Sequence, residues 1–378
     1  MKVVVAAAGT GGHINPGIAI ANKIKKENPK AEIIFIGTQR GLENDLVPKA
    51  GYKLKTIEAY GLSKKISIQN ISNIIKTLRG FKQAEKIIDE IKPDLVIGTG
   101  GYICGAVLTA AHNKKIPTML HESNAFPGTA VKMLAKDTDT IMVGFKEAKD
   151  FLKKAKRVVV TGTPTKIKNL HLTDEQKKEV KLQMGLKDDK PVVLIFGGSQ
   201  GAKRINDAIM EIIREKRNRD YQIIWAAGPN QYDGIKQELE KDNININNIC
   251  GIKIVPYIYN MQEIMNACDL VVARSGAMTI TEIAIVQKPA IFIPLPSRSA
   301  NRQEDNARVL ERKGAAKVIL NEELNGDVLS KAIDDIVVKQ DKASVEQMGK
   351  NASTIVIENV EDKIYEEVKR LIGEIEKL

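Results

Sequence analysis

The 378-residue chain has few aromatic residues, few cysteines and no long apolar run. Aromatics make up 4% of it, and none is interleaved with a basic run, the pattern on which single-stranded nucleic acid stacks. A nucleic-acid partner is therefore not expected. Cys104, Cys250 and Cys268 are odd in number and lack the paired spacing of metal ligands. They read as small core residues in a reducing cytoplasm, not as a disulfide framework. No stretch reaches the ~18 apolar residues of a membrane span. The longest apolar runs, such as Val3 to Ala8, have strand length. The amino terminus carries a lysine, but its apolar run is short and ends in glycines, so it reads as a first strand, not a signal peptide. No glycine-rich loop ends in Gly-Lys-Ser or Gly-Lys-Thr, which leaves an ATPase little support. A His/Cys/Glu cluster with catalytic-metal spacing is missing too, so neither a metal nor a cofactor is expected.

What is present points to a globular, two-domain α/β protein. Hydrophobic residues make up 43%, and 378 residues exceed one ordinary core. The formal charge of +11 favours a polyanionic partner: a phosphorylated substrate or an anionic lipid surface. Strand-length apolar runs at Lys2–Ala8, Ala31–Ile36, Asp94–Ile97, Thr118–His121, Thr140–Val143 and Val158–Thr161 alternate with helical spacing. From Thr163 to Pro191 the chain turns polar and lysine-rich, as a link followed by a short helix would. The pattern then restarts at Val192–Phe196, Gln222–Ala226, Ile252–Val255, Leu270–Ala273 and Ala290–Ile293. Such alternation predicts two doubly wound parallel sheets in tandem. A last segment carries Ile357, Val360, Ile364, Val368, Leu371 and Ile375 on one helical face.

Two glycine loops occupy the same place in each half. Strand Val3–Ala8 runs into Gly9-Thr10-Gly11-Gly12-His13, with Pro16 placed to open a helix. Strand Val192–Phe196 runs into Gly197-Gly198-Ser199-Gln200-Gly201. Glycines after a strand let backbone N–H groups approach an anion, and the helix N-terminus beyond adds about half a positive charge. A third loop, Gly98-Thr99-Gly100-Gly101-Tyr102, also follows a strand. Any one such loop is more often a tight turn than a phosphate cradle, and neither main loop has the dinucleotide-binding glycine spacing.

A stronger signal comes later. Arg274-Ser275-Gly276-Ala277-Met278-Thr279 follows a strand and opens a helix in which Glu282 sits one turn in. A carboxylate there can accept two hydrogen bonds from a ribose diol, or simply complement the helix dipole. Downstream, the amides of Gln303 and Asn306 are candidates for reading sugar hydroxyls. Asp137-Thr138-Asp139 has the form of a metal-holding Asp-x-Asp, but in its lysine-flanked setting it reads as turn chemistry.

These blocks together (Gly9-Thr10-Gly11-Gly12-His13, His121-Glu122-Ser123-Asn124, Gly197 to Gly201, Arg274 to Thr279 with Glu282, and Gln303 with Asn306) run in order over nearly the whole chain. They resemble the MurG family of peptidoglycan N-acetylglucosaminyltransferases. The resemblance implies a GT-B fold, two Rossmann-like domains facing a central cleft. It implies UDP-N-acetylglucosamine (UDP-GlcNAc) as donor and undecaprenyl-pyrophosphoryl-N-acetylmuramoyl-pentapeptide as acceptor, joined with inversion in a β-1,4 bond. Residues 1–163 would then bind acceptor and membrane, residues 164–350 the donor, and residues 351–378 would return as a helix to the first domain. Thr10, Gly11, Gly12, Asn124, Lys166, Ser199, Ile258, Ala277, Met278, Thr279, Glu282, Gln303 and Asn306 are the implied donor contacts. Gly100, Gly101, Tyr102, His121 and Glu122 are the implied acceptor contacts. Two positions depart from the family pattern: Lys166 replaces an arginine in Gly162-Thr163-Pro164-Thr165-Lys166, keeping charge but losing a bidentate fork, and Ser123 replaces a glutamine.

Of the four histidines, His13 is the candidate general base, with binding of the acceptor pyrophosphate as its competing role; His121 and Glu122 would hold His13 or the acceptor. A lipid-linked acceptor requires docking on the anionic, cytoplasmic face of the membrane. Ile71, Ile74, Ile75, Leu78 and Phe81 form an apolar helical face flanked by Lys76, Arg79 and Lys82 that serves either docking or core packing. A GT-B enzyme glycosylating diacylglycerol, a UDP-GlcNAc epimerase and a non-catalytic nucleotide-sugar binder are the alternatives.

Overall fold

The computed structural model describes residues 1–60, 68–187, 190–198, 200–218, 220–296 and 302–375, with side chains 68–75, 247 and 374–375 outside the description. Ser199 and the basic pair Lys64 and Lys65 therefore lie outside the described residues, as do the side chains of Ile71, Ile74 and Ile75.

The chain divides into two compact units: Met1–Thr165 with Ile357–Leu378, and Lys166–Val356. In the first, strands β1 (Lys2–Ala7), β2 (Glu32–Thr38), β3 (Lys53–Ile57), β4 (Leu95–Gly100), β5 (Thr118–Glu122), β6 (Thr140–Val143) and β7 (Val158–Val160) alternate with helices. These are α1 (Gly11–Glu27), α2 (Glu43–Lys49), α3 (Ile68–Ile91), α4 (Ile103–Asn113) and α5 (Thr129–Leu134). All pairings are parallel, in the order β3-β2-β1-β4-β5-β6-β7. Successive β1 side chains enter opposite faces: Val4 and Ala6 join one apolar layer, Val3 and Val5 the other.

The second unit repeats the scheme. Helix α6 (Asp174–Gln183) leads into β8 (Val192–Phe196), α7 (Lys203–Arg214), β9 (Gln222–Ala226), α8 (Pro229–Lys241), β10 (Ile252–Val255), α9 (Met261–Ala267) and β11 (Leu270–Ala273). Then follow α10 (Ala277–Ile285), β12 (Ala290–Phe292), α11 (Gln303–Arg312), β13 (Ala316–Val318), α12 (Gly326–Val337) and α13 (Lys342–Ser353). The parallel order is β10-β9-β8-β11-β12-β13.

The final helix, α14 (Val360–Ile375), belongs to the first unit. Ile364, Val368 and Leu371 are buried in one layer with Ile14 and Ile18 of α1. Ion pairs fix its register: Lys23 Nζ lies 2.6 Å from Asp362, and Arg157 grips Glu367 through two hydrogen bonds of 2.7 and 2.9 Å.

Pro16 departs from the expected helix start. Helix α1 begins at Gly11, because the Thr10 carbonyl already accepts His13 N–H and Ile14 N–H at 3.0 and 3.1 Å, and Pro16 sits inside the helix. Its missing N–H leaves the Gly12 carbonyl without the helical donor four residues on.

In both sheets the strand order reverses once, between β1 and β4 and between β8 and β11. Ligands of open parallel sheets bind beyond the carboxyl ends of the strands at such switch points. The four strands that meet there end at Ala7, Gly100, Phe196 and Ala273 and run into the loops singled out above.

Candidate functional site

Helix starts differ along these edges: α2, α9 and α11 carry acids in their first turns. Helices α1, α4, α7 and α10, which follow the four switch-point strands, begin with no side-chain cap and no acid in the first turn. So do α5 and α8, at the same edges. By contrast, α6, α12 and α13 are capped by Thr173, Asn325 and Asp341. Uncapped first-turn amides and an unopposed dipole form an anion site, and both sheets present them on the carboxyl edge.

In the first unit the His13 ring is packed by the third glycine loop. Gly100 lies so close that a Cβ there would overlap the imidazole, and a Cβ on Gly101 would stand 2.6 Å from the Ala8 carbonyl oxygen. Both have left-handed φ, +125° and +87°, so only glycine suits these positions. Thr99 Oγ1 donates to the His13 carbonyl at 2.8 Å. His13 Nδ1 lies 3.1 Å from the Ala8 carbonyl. A carbonyl only accepts, so in the neutral ring Nδ1 carries the proton and Nε2 keeps its lone pair. His13, Gly100 and Gly101 are thus brought together, with half-buried Gly11 and Gly12 opening α1 and exposed Tyr102 opening α4.

Glu43 is a residue the sequence reading missed. Its buried carboxylate accepts from Gly9 N–H at 3.0 Å and from Thr38 N–H and Oγ1 at 2.8 and 2.7 Å. Burial pushes its pKa up, but these donors more than offset that and hold it below the ordinary carboxylate value. It fastens the Gly9 loop to the end of β2.

His121 and Glu122 are both held by neighbours within the first unit. His121 is buried, Nε2 donating to the Gly162 carbonyl at 2.9 Å and Nδ1 facing Ser123 Oγ at 3.3 Å. Neither ring nitrogen bonds His13 in this arrangement. Glu122 accepts from the Asn124 N–H and side-chain amide at 2.9 and 2.8 Å and from Gly128 N–H at 2.9 Å, folding the loop that carries Asn124. Both residues position this edge from behind. Because burial lowers the His121 pKa to about 4, the unfolded chain binds a proton there between pH 6.5 and 4 that the folded chain refuses. Stability should therefore fall with pH across that window by about 3 kcal/mol from this group. Acid unfolding of His121→Gln should be correspondingly less steep than wild type; identical pH slopes would rule the assignment out.

In the second unit, Arg274 donates to the Ile293 and Pro294 carbonyls at 3.0 and 3.1 Å and to Asn321 Oδ1 at 2.8 Å. Burial pulls its pKa down to about 10, leaving it charged at neutral pH. Buried Ser275 donates to the Gln303 carbonyl at 2.8 Å, and Gln303 Oε1 accepts from Leu295 N–H at 3.0 Å. Asn306 is fully buried in α11. The Ser275 and Gln303 bonds tie the α10 and α11 starts together. Ala277, Met278 and Thr279 form the first turn of α10, with Glu282 half-buried further along. Ile258 is buried after β10, between exposed Tyr257 and Tyr259. Lys166 is exposed as the first residue of this unit. Asp139 is committed elsewhere, to Thr118 at 2.9 and 3.0 Å and to Lys156 at 2.8 Å. Among the described residues, no three His, Cys, Asp or Glu side chains converge as a metal site would require.

Two parallel α/β units, each with an anion-receptive edge at its switch point, have the architecture of the GT-B fold. Residues 3–143 match the glycosyltransferase family 28 N-terminal domain, and residues 192–364 match its C-terminal domain. The UDP-N-acetylglucosamine–N-acetylmuramyl-(pentapeptide) pyrophosphoryl-undecaprenol N-acetylglucosamine transferase of Acetivibrio thermocellus is 44% identical over 98% of both chains. The crystal structure of Acinetobacter baumannii MurG superposes with a TM-score of 0.76 at 25% identity, covering 98% of this chain and 99% of that one. The chain belongs to the MurG family. Fold alone would not have decided this: the UDP-GlcNAc 2-epimerase of Neisseria meningitidis, at 16% identity, covers 98% of this chain and 100% of its own with a TM-score of 0.62.

Proposed function

We propose that the protein transfers N-acetylglucosamine from UDP-GlcNAc to the 4-hydroxyl of undecaprenyl-pyrophosphoryl-N-acetylmuramoyl-pentapeptide, with inversion. The observation that carries this reading is His13, its Nε2 lone pair available beside two glycine loops at the switch point of the first unit. Binding alone would not need such a base. In this reading the first unit takes the acceptor, the Gly100–Gly101–Tyr102 loop receiving its diphosphate, while Gly11 and Gly12 contact the donor. Unit two takes the donor: Ala277–Thr279 and the Gly197–Gly201 loop with Ser199 receive the UDP phosphates, Glu282 the ribose, Ile258 the base and Lys166 the diphosphate. Thr10, Asn124, Gln303 and Asn306 complete the sugar contacts. His13 Nε2 accepts the proton of the 4-hydroxyl as its oxygen bonds to C1. The bond from C1 to the UDP oxygen breaks, and the negative charge leaving on UDP falls on helix amides. No step in this scheme calls for a bound metal.

The test is transfer from labelled UDP-GlcNAc to the lipid-linked muramoyl acceptor. Product with diacylglycerol, or conversion of UDP-GlcNAc with no acceptor, would select an alternative.

A polyprenyl acceptor stays in the bilayer, since each buried CH₂ contributes ~0.8 kcal/mol, so this reading places the enzyme peripherally on the cytoplasmic membrane face. Among the described residues no helix is long and apolar enough to cross a membrane. Helix α3 supports a surface contact: Leu78 is 61% exposed, with Arg79 and Lys82 exposed beside it. Phe81 is half-buried against the core layer, so it serves packing. Replacing Leu78 with serine should weaken binding to anionic vesicles severalfold and leave melting temperature and UDP affinity unchanged. Unaltered vesicle binding would move the contact elsewhere.

A further inference from the structure

Outside the loops already assigned, the first unit holds two cations against one aromatic ring. Arg40 Cζ lies 4.3 Å from the Tyr60 ring centroid, and Lys76 Nζ lies 5.2 Å from the same centroid. They come from three elements: Arg40 from the β2–α2 turn, Tyr60 from just beyond β3, and Lys76 from α3. Several cations of the first unit are paired with acids, as Lys23 is with Asp362 and Arg157 with Glu367. Among the described residues, no ion pair engages Arg40 or Lys76. Two positive charges gathered on one ring repel each other; the electron-rich face attracts both, and an anion between them would complete the arrangement.

The position of this cluster narrows the anion. Leu42 N–H, two residues from Arg40, lies 3.4 Å from the Gly9 carbonyl, and Glu43 next to it holds Gly9 N–H. The cluster therefore borders the Gly9 loop on its β2–β3 side. Backbone amides at the start of α1 already suit a diphosphate. A planar guanidinium with a neighbouring ammonium binds a carboxylate or a phosphate through two parallel hydrogen bonds, and with the diphosphate taken by backbone amides the carboxylate is the anion left for it. We propose that Arg40 and Lys76, mounted on Tyr60, form a subsite for a carboxylate of the acceptor's peptide. This rests on the transferase reading above, in which a pentapeptide extends from the same muramoyl unit that carries the diphosphate.

The experiment uses the full chain and two water-soluble, short-chain diphosphoryl-muramoyl acceptors, one with the pentapeptide and one without. Arg40→Gln and Lys76→Gln should each raise KM for the peptide-bearing acceptor roughly 10-fold, and the KM of the peptide-free acceptor and of UDP-GlcNAc should not move. Tyr60→Leu should reproduce the effect by removing the platform, and Tyr60→Phe should retain wild-type values. Equal increases on both acceptors would overturn the proposal in favour of the diphosphate. Unchanged KM values with weakened binding to anionic vesicles would overturn it in favour of the bilayer, and unchanged values throughout would overturn it outright. Absence of wild-type transfer to the peptide-bearing acceptor overturns the transferase reading itself, a result distinct from turnover that the variants leave untouched.

Discussion

His13→Ala is expected to lower kcat about 100-fold or more while leaving UDP affinity unchanged. The expectation rests on how the ring is held. Ala8 fixes Nδ1 as the protonated nitrogen, Thr99 fixes the His13 backbone, and Gly100 closes on the ring face. All three contacts orient Nε2 without occupying it, as a general base requires. His13→Gln separates base from ligand: glutamine hydrogen-bonds but does not take up a proton at neutral pH. If His13 only binds acceptor diphosphate, glutamine should restore much of kcat and the alanine defect should appear in acceptor KM. If His13 is the base, both variants should be slow at saturating acceptor.

Most of this architecture was legible in the sequence because buried parallel strands are continuous apolar runs, as in Val192–Phe196. The two strands that were missed lie at sheet edges. β3, Lys-Leu-Lys-Thr-Ile, alternates lysine with apolar residues, and β13 is only Ala-Lys-Val, so neither reads as a core strand. Switch-point loops were visible through their glycines, but the carboxylates that shape them were not. Glu43 looks like any first-turn helix acid until the fold brings Gly9 to it. His121 and Glu122 fall on a strand end, where sequence suggests a side chain offered to a ligand. Whether each one points outward or inward depends on Gly162 and Gly128, 41 and 6 residues away in the chain. Long-range partners of this kind leave no local pattern.

Glu282→Gln is expected to weaken UDP binding and raise the donor KM, with fold and acceptor KM preserved. Helix α10 starts without a cap or an acid, so its first-turn amides are suited to the phosphates, and Glu282 follows on the same helix. A carboxylate accepts from both hydroxyls of a ribose diol, whereas a carboxamide accepts through one oxygen and must turn a donor toward the other. Loss of a charged partner costs ~1.5–3 kcal/mol, equivalent to roughly 10- to 150-fold in UDP affinity. The complementary ligand is 2′-deoxy-UDP. If Glu282 holds the diol, the deoxy ligand should bind wild type weakly and should be penalised far less by the substitution, since the two changes remove the same interaction. Calorimetry with both ligands and both proteins closes this cycle. Additive losses, or UDP affinity indifferent to the substitution, would mean that Glu282 serves only α10 itself and that the ribose is read by another residue of this edge.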